Sequence, residues 1–247
     1  MIDLHCHILP GVDDGAASEE ESCMMAQMAA DSGVTAIVAT PHCNIPGWED
    51  NYMSNDLRDR FLGMARLLKE QKIPIRLYTG AEVFVTPEVP RLIREKKLLT
   101  LAGSRYLLVE FAFDESIVFA ERMLDAIQRE GLIPVVAHPE RYYFVQEDPS
   151  CLHRWTRKGV VLQLNKGSLL GAFGRRARRV ACWCLEEGCV HLIGSDAHSP
   201  YRRTPRLSDA WDFVSGYTIP EIADFLLKEN PERILQDRPV GPVLAEF

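Results

Sequence analysis

Residues 131–141 read GLIPVVAHPER, and this stretch contains the unit on which the predicted fold is built. A glycine precedes a short apolar run, Ile133–His138, which ends on a histidine. Such a run, bounded by turn residues, predicts a buried strand of a parallel sheet. Gly131 stands where a preceding helix would end, because glycine readily adopts the left-handed conformation of a helix C-cap. The stretch therefore predicts a helix end, a tight turn and a strand that carries a histidine at its carboxyl end.

The same unit recurs along the chain. Seven apolar runs predict strands, and they are Met1–His5, Val34–Thr40, Ile73–Thr79, Tyr106–Phe111, Ile133–His138, Val160–Asn165 and Val190–Gly194. Amphipathic segments predict helices at Ser18–Ser32, Asn55–Gln71, Pro87–Lys97, Ser116–Glu130, Pro149–Lys158, Ser168–Glu187, Arg206–Val214 and Pro220–Glu229. Regular alternation of strands and helices is typical of an α/β protein with a parallel sheet. Seven units fit either a doubly wound sheet or a barrel, and we expect one domain over residues 1–247.

Composition narrows the class of protein. The 247 residues are 47% hydrophobic and 26% charged, which is typical of a soluble globular protein rather than a collagen, a disordered chain or a disulfide scaffold. A net charge of −7 argues against a general nucleic-acid or membrane-surface binder. The start, MIDLHCH, lacks the apolar run of a signal peptide, and no stretch approaches the roughly 20 apolar residues that span a bilayer. The seven cysteines form no CxxC pair, so we expect reduced thiols in a cytoplasmic protein.

Metal-binding residue types concentrate at the predicted strand ends. His5 and His7 are two residues apart, so on a strand they point to the same side and could bind one ion, while Cys6 points away. The other candidates near strand ends are His42, Glu82, Glu110, His138, Asp196 and His198. In a barrel these ends converge on one face. Nitrogen and oxygen donors suit Mn²⁺, Fe²⁺ or Zn²⁺, and a multi-metal site that activates water favours a phosphoesterase over a redox enzyme.

Several motifs together resemble one superfamily. They are HxH at residues 5–7, ATPH at 39–42, GAE at 80–82, AHPER at 137–141 and SDAH at 195–198. The combination resembles the polymerase-and-histidinol-phosphatase (PHP) superfamily. The longer stretches HILPGVDDGAASEEES, AHPERY and QLNKGSLLGAFGRRARR are similar to the bacterial PHP-type tyrosine-protein phosphatases of the CpsB/CapC/YwqE-like group.

The resemblance implies a distorted (β/α)7 TIM-like barrel with three divalent metal ions, manganese first and iron or zinc as alternatives. It implies that His5, His7, Glu82 and Asp196 bind the first ion and that Asp14, His42 and His198 bind the second. Glu110 and His138 would bind the third, with Glu82 bridging to the first. Asp14 rather than Asp13 matches the family motif; without the resemblance, Asp13-Asp14-Gly15 would be interpreted as a turn.

The resemblance also implies a substrate and a mechanism. Arg141 and Arg203 match family arginines and could hold phosphate oxygens, although Arg202 stands beside Arg203. We expect a metal-bound hydroxide to attack phosphorus, with Asp196 or His198 assisting proton transfer. The expected substrate is a phosphotyrosine protein, a bacterial tyrosine autokinase that controls capsule or exopolysaccharide export.

Other interpretations stay open at this point. A PHP phosphatase for a small phosphomonoester such as histidinol phosphate is the main alternative, followed by a PHP nuclease and by a non-catalytic metal-stabilised interaction module. Cys151–Arg157 matches the C-x5-R spacing of thiol phosphatases, but bulky residues fill the loop, which favours a helix. A basic run, listed as Arg175, Arg176, Arg178 and Arg179, favours a solvated helix face over a contact with an anionic partner. His153 and His191 lie outside the site pattern, and we expect structural roles for them.

Overall fold

A computed structural model of the protein describes residues 1–48 and 50–241. Its strands are β1 (Ile2–Cys6), β2 (Ala36–Ala39), β3 (His42–Cys43), β4 (Arg76–Thr79), β5 (Glu82–Phe84), β6 (Tyr106–Glu110), β7 (Ile133–Ala137), β8 (Val161–Asn165) and β9 (Leu192–Gly194). The longer α-helices are α1 (Glu19–Asp31), α2 (Asn55–Glu70), α4 (Ile117–Arg129), α8 (Gly174–Glu186) and α9 (Ser208–Tyr217). The shorter ones are α3 (Val89–Arg94), α5 (Tyr143–Glu147), α6 (Cys151–Arg157), α7 (Lys166–Leu169), α10 (Pro220–Asp224) and α11 (Asn230–Leu235). Single 3₁₀ turns occupy Leu101–Gly103 and Pro139–Arg141, and a π-helical turn, Phe225–Glu229, joins α10 to α11.

Every strand pairing between these elements is parallel. One sheet has the order β1-β2-β4 and the other β3-β5-β6-β7-β8-β9. β3 follows β2 after Thr40 and Pro41, and β5 follows β4 after Gly80 and Ala81, so the two sheets share two broken strands. Proline has no N–H for a sheet hydrogen bond, which accounts for the first break. A Cβ on Gly80 would lie 2.7 Å from Cγ1 of Val38, so the second break lies where two segments approach closely.

β1 is an edge of the first sheet and β9 an edge of the second. The end of β1 contacts the segment that follows β9, so the two sheets meet there. The N–H of Asp196 donates to the carbonyl of His5, and the N–H of His7 donates to the carbonyl of Ala197, both at 2.9 Å. The seven strand runs therefore neighbour one another in chain order around a ring. This confirms the predicted α/β fold with parallel strands, arranged as a distorted barrel of seven strand runs.

An irregularity in β1 sets which side chains face the barrel interior. Asp3 pairs with Ile37 and Cys6 with Ala39, so β1 has one more residue than β2 over this interval. Such a β-bulge changes the alternation of side chains. Leu4 can therefore join the interior cluster while His5, the next residue, lies among the site residues.

Two apolar clusters stabilise the barrel. The larger one packs the strands against the surrounding helices. The smaller one consists of interior residues, listed as Ile2, Leu4, Ala36, Val38, Leu101, Tyr106, Leu108, Val135, Ala137, Val161, Leu192 and Ile234. Leu101 comes from the 3₁₀ turn beside β4 and β6, and Ile234 comes from α11 beside β1. Apolar side chains thus fill the amino-terminal end of the barrel.

Several predicted boundaries were wrong. The predicted helix Ser168–Glu187 is two helices, α7 and α8, separated where Gly171 and Gly174 have positive φ angles of 86° and 88°. The predicted helix Pro87–Lys97 is shorter, and Pro220–Glu229 changes to π-helical geometry and continues into α11. Among the helices of residues 1–48 and 50–241, none is both long and apolar enough to cross a membrane.

Candidate metal centre

The predicted metal ligands converge at the carboxyl ends of the strands. His5 and Glu110 end or nearly end β1 and β6, while His42 and Glu82 begin β3 and β5, the second parts of the broken strands. The other candidates lie in segments directly after strands, and these are His7, Asp14, His138, Asp196 and His198. The fold therefore brings together nine side chains that are up to 193 positions apart along the chain, from His5 to His198.

A first group surrounds the buried carboxylate of Glu82. Its Oε2 atom lies 3.1 Å from Nε2 of His5 and 3.2 Å from Nε2 of His7. Oδ1 of Asp196 lies 3.4 Å from Nε2 of His5 and 3.6 Å from Nε2 of His7. One ligand atom from each of these four residues falls within 4.8 Å of all the others. They are the four residues expected to bind the first ion.

A second group lies on the other side of His7. Oδ1 of Asp14 is 3.5 Å from Nε2 of His42 and 3.3 Å from Nε2 of His198. The ligand atoms of these three residues and His7 again lie within 4.8 Å of one another. The group contains the three residues expected for the second ion, with His7 in addition.

The third group differs in part from the expectation. Nδ1 of His42 lies 3.3 Å from Oε2 of Glu82 and 3.0 Å from Oε1 of Glu110, and these three residues form a compact set. The predicted His138 borders it, with Nε2 at 3.0 Å from Oε1 of Glu82 and 3.8 Å from Oε2 of Glu110. His42 therefore stands between the second and third groups, which the sequence pattern did not indicate.

The donor atoms fit divalent metal ions. Oε2 of Glu82, Nδ1 of His42 and Nε2 of His198 are buried and have no hydrogen-bond partner among the described residues. Buried polar atoms are normally paired, so a group of such atoms among histidines and carboxylates is suited to binding a cation. The set combines imidazole nitrogen with carboxylate oxygen, as manganese, iron or zinc sites do.

The charges of the cluster also favour a cation. Burial alone would raise the pKa of Glu82, but His5, His138 and His7 lower it well below its usual range. Burial opposes protonation of His7, yet the carboxylates of Asp13, Asp196 and Glu82 together outweigh this and raise its pKa well above the ordinary value. The ionised carboxylates thus favour positive charge at the imidazoles, and a divalent ion bound by these residues would supply that charge in place of protons.

Residues outside the predicted ligand set orient the imidazoles. Nδ1 of His7 lies 2.7 Å from Oδ2 of Asp13, which also accepts from the N–H of His42 at 2.8 Å. Nδ1 of His5 lies 2.8 Å from Oε1 of Gln163. Partners of this kind fix the ring so that the opposite nitrogen faces the metal. Sequence reasoning missed both roles, although Gln163 could have been found because strand β8 places it and Asn165 on one face.

Asp13 is held by the turn that the DDG motif forms. The N–H of Gly15 donates to Oδ1 of Asp13 at 3.0 Å. A Cβ on Gly15 would lie 2.2 Å from the carbonyl oxygen of His7, so a larger residue would displace the turn. The segment Asp13-Asp14-Gly15 can therefore form a turn and also present Asp14 as a metal ligand.

Two arginines approach the cluster through Asp196. Nη1 of Arg141 lies 3.5 Å from Oδ2 of Asp196, and Nη2 of Arg203 pairs with the same oxygen. Asn165 also donates to it from β8. The neighbouring Arg202 is exposed and makes no ion pair within the described chain, so the geometry favours Arg203.

Aromatic rings hold the first of these arginines in place. The guanidinium carbon of Arg141 lies 4.5 Å from the ring centroid of Phe113 and 4.3 Å from that of Phe173. Phe173 is also 5.7 Å from the guanidinium carbon of Arg203. Contacts between a cation and an aromatic face are favourable and restrict the side chain, so Phe173 helps to orient both arginines.

Three residues of the site have an uncommon backbone conformation. His138, Asp196 and Arg203 have positive φ angles of 38°, 50° and 51°. Such conformations are costly for residues other than glycine and persist where the surrounding structure imposes them, as at functional sites.

The remaining candidates lie elsewhere. Cys151 begins α6, and burial raises the pKa of its thiol to about 12, which is opposite to the needs of a thiolate nucleophile. His153 lies beside Glu187, and the Nδ1 atom of His191 accepts from the N–H of Leu162 at 3.1 Å. The structure therefore gives no support to a thiol phosphatase loop.

Comparison with known proteins agrees with this geometry. Residues 1–236 match the family model described as capsular polysaccharide synthesis, CpsB/CapC. The chain is 33% identical over 240 residues to tyrosine-protein phosphatase YwqE of Bacillus subtilis, covering 97% of this chain and 93% of that protein. It is 30% identical over 243 residues to tyrosine-protein phosphatase CpsB of Streptococcus pneumoniae, covering 96% and 99%.

A solved structure shows the same fold. It comes from a crystallographic study of YwqE from Bacillus subtilis and CpsB from Streptococcus pneumoniae, described there as unique metal-dependent tyrosine phosphatases. The TM-score is 0.87 at 33% identity, with 98% of this chain and 99% of that chain covered. The chain belongs to the CpsB/CapC family of capsular polysaccharide synthesis proteins.

Proposed function

We propose that this protein is a metal-dependent protein tyrosine phosphatase. The observation that carries the proposal is the position of two arginines, Arg141 and Arg203, on the same carboxylate oxygen at the edge of a histidine–carboxylate cluster. Arginine binds phosphate oxygens through parallel N–H groups. A cationic edge beside a multi-metal site suits the hydrolysis of a phosphate monoester.

The cluster would hold three divalent ions, with manganese as the first choice. We assign the first to His5, His7, Glu82 and Asp196, the second to Asp14, His42 and His198, and the third to Glu110 and His138 beside Glu82. Bound ions of this kind activate water and neutralise charge on phosphate oxygens. Asp13 and Gln163 orient the first two imidazoles for this purpose.

The side chains of the protein then position the substrate. Arg141 and Arg203 would hold the equatorial phosphate oxygens, which gain charge in the transition state. Asp196 anchors both guanidinium groups through Oδ2, and Phe113 and Phe173 limit the movement of Arg141. Asp196 and His198 are the candidates for proton transfer. The leaving tyrosine oxygen has a pKa near 10, so it requires less protonation than an alkoxide.

Exposed aromatic side chains near Arg141 favour an aromatic substrate. Phe113 and Tyr143 are 38% and 58% exposed and line one groove together with Arg141. Exposed aromatic rings at a binding surface offer large contact areas for a tyrosyl ring. This supports a phosphotyrosine protein over histidinol phosphate, which is the second candidate.

The names given to the relatives and to the family support an inference about the biological substrate. Two relatives are named tyrosine-protein phosphatases, and the family description is capsular polysaccharide synthesis. We infer that the substrate is a bacterial tyrosine autokinase that controls capsule or exopolysaccharide export, and that the enzyme acts in the cytoplasm.

The test combines metal analysis with two substrates. Purified protein is analysed for metals, stripped with a chelator, reloaded with Mn²⁺, Fe²⁺ or Zn²⁺, and assayed on a phosphotyrosine peptide and on histidinol phosphate. We expect chelation to abolish hydrolysis and the peptide to have the higher kcat/KM. The control variant Cys151→Ser should retain activity. Activity that survives complete metal removal, or that is lost in this variant with the fold intact, would contradict the proposal.

A further inference from the structure

A groove beside the candidate metal centre is lined by positive charge, although the whole chain is negative. It has a volume of about 510 Å³ and is lined by Phe113, Arg141, Tyr143, Gln146, Phe173 and the first turn of α8 from Gly174 to Ala177. We call it the α8 groove. Its size is within the range of ligand-binding clefts. Three arginines border it, Arg141, Arg175 and Arg176, in a chain whose net charge is −7.

The four arginines that follow Phe173 have two kinds of surroundings. Arg178 packs over the ring of Phe213 at 5.7 Å, and Arg179 donates to the carbonyl of Gln146 at 3.4 Å. Arg175 and Arg176 instead line the α8 groove, are exposed, and form no ion pair with any residue that the structure describes. These two guanidinium groups are therefore available to a ligand.

Their position in the helix is unfavourable for stability. Arg175 and Arg176 lie in the first turn of α8, which contains no acidic residue. The helix dipole makes this end positive, and first turns usually carry Asp or Glu for that reason. Residues that disfavour their own helix end, with no acidic residue in that turn to offset the effect, are typical of functional positions.

The groove is continuous with the catalytic edge. Arg141 lines the groove and also reaches Oδ2 of Asp196 at 3.5 Å. Phe113 and Phe173 both pack against the guanidinium group of Arg141 and form part of the groove wall. A peptide whose phosphotyrosine occupies the metal site would thus pass its neighbouring residues along Arg175 and Arg176.

We propose that the α8 groove binds acidic side chains flanking the phosphotyrosine of the substrate, and that Arg175 and Arg176 determine this preference. The proposal rests on the proposed phosphatase function and adds a substrate preference to it. Aspartate or glutamate near the phosphotyrosine would pair with the two arginines, while apolar parts of the peptide contact Phe113, Phe173 and Tyr143. Long-range attraction would also increase the rate of association.

The test compares matched peptides. Each has a central phosphotyrosine, with acidic residues on its amino side, acidic residues on its carboxyl side, or glutamine and asparagine at the same positions. The measured quantity is the ratio of kcat/KM for the acidic and neutral peptides within one protein. We expect the wild type to prefer at least one acidic peptide by about three- to tenfold, as a few exposed ion pairs allow. The preference should shrink at high salt because surface charges are screened.

Two double variants carry the same loss of charge. Arg175→Gln/Arg176→Gln should bring the ratio close to one. The control, Arg76→Gln/Arg129→Gln, removes exposed arginines at the start of β4 and the end of α4, on the opposite end of the barrel, and should leave the ratio unchanged. A wild type without preference, or a groove variant that retains the preference, would overturn the proposal.

Failure of the phosphatase function is distinguishable. If the wild type hydrolyses none of the phosphotyrosine peptides, the proposed function fails. Binding of the labelled acidic and neutral peptides, measured by fluorescence anisotropy on the wild type and both double variants, then decides whether the groove recognises acidic segments.

Discussion

Asp13 contacts the candidate metal centre although it lies outside the expected ligand set. Its side chain is only 1% exposed, and its two oxygens contact Nδ1 of His7 and the backbone N–H groups of His42 and Gly15. It thus ties together one strand end, the DDG turn and a second strand end. In sequence alone the neighbouring Asp14 drew attention through the family motif, whereas the contact of Asp13 with His7 depends on the folded turn.

Replacing Asp13 with asparagine should weaken metal binding. The variant retains the shape of the side chain but loses the charge that stabilises the donor nitrogen of His7. We expect a loss of about 10- to 100-fold in metal affinity, measured by competition with a chelator, as for other partners of metal-bound histidines. Asp31→Asn, an exposed position at the end of α1, serves as the control. Equal affinities in Asp13→Asn and wild type would contradict the orienting role.

At the scale of single elements, β1 combines two functions within five residues. The bulge between Asp3 and Cys6 is accompanied by a change from barrel core at Leu4 to metal site at His5. The predicted shared orientation of His5 and His7 agrees with their 3.2 Å separation at Nε2. The bulge itself was not predictable, because simple alternation assigns Leu4 and His5 to opposite faces.

The segment leading into β9 supports a pH prediction. Burial lowers the pKa of His191 to about 4, and its Nδ1 must be unprotonated to accept from Leu162 of β8. In the unfolded chain the imidazole has its ordinary pKa near 6.5, so it takes up a proton at a higher pH than in the folded protein. The free energy of unfolding therefore falls as the pH decreases from about 6.5 to 4. The loss from this residue should be at most about 3 kcal/mol, since its side chain is partly exposed.

Urea unfolding of metal-free protein at pH 7 and pH 5 checks this prediction. His191→Gln cannot titrate, so its stability should decrease less between the two pH values than that of the wild type. The histidines of the metal cluster titrate in both proteins and cancel in the difference. His153→Gln, which removes a histidine beside Glu187 on the surface, is the control. Identical pH dependence in wild type and His191→Gln would disprove the linkage.

At the scale of the whole molecule, the two ends of the barrel have different tasks. The carboxyl end holds the metal cluster and the α8 groove, while apolar residues close the amino end. Ile234 of α11 is fully buried and belongs to the interior cluster together with β1 residues such as Ile2. The last described helix therefore contributes to stability at a distance from the site.

Ile234→Ala should test this division. Removing three buried methyl or methylene carbons from a packed core costs about 2–4 kcal/mol of unfolding free energy. We expect a lower midpoint of urea unfolding with metal affinity close to that of the wild type. Leu62→Ala, at a 51% exposed position of α2, should cost much less. A variant as stable as the wild type would show that α11 does not seal the barrel.

Strand periodicity, glycine positions and the order of strands and helices were enough to predict parallel βαβ units, and the joint motifs indicated the family. These features depend on local backbone preferences and on residues at fixed short spacings, which a sequence displays directly. The breaks within two strands and the division between α7 and α8 were missed. The break at Gly80 lies where the chain approaches Val38 closely, and such an approach exists only in the folded chain.

The sequence by itself determined which residue types could bind metal and phosphate, since imidazole, carboxylate and guanidinium chemistry belongs to the side chains. Only the tertiary structure decided that His42 lies between two groups, that Asp13 and Gln163 orient imidazoles, and that Arg175 and Arg176 separate from the rest of the basic run. These outcomes depend on contacts between residues far apart in the chain, which form only when the strands have assembled.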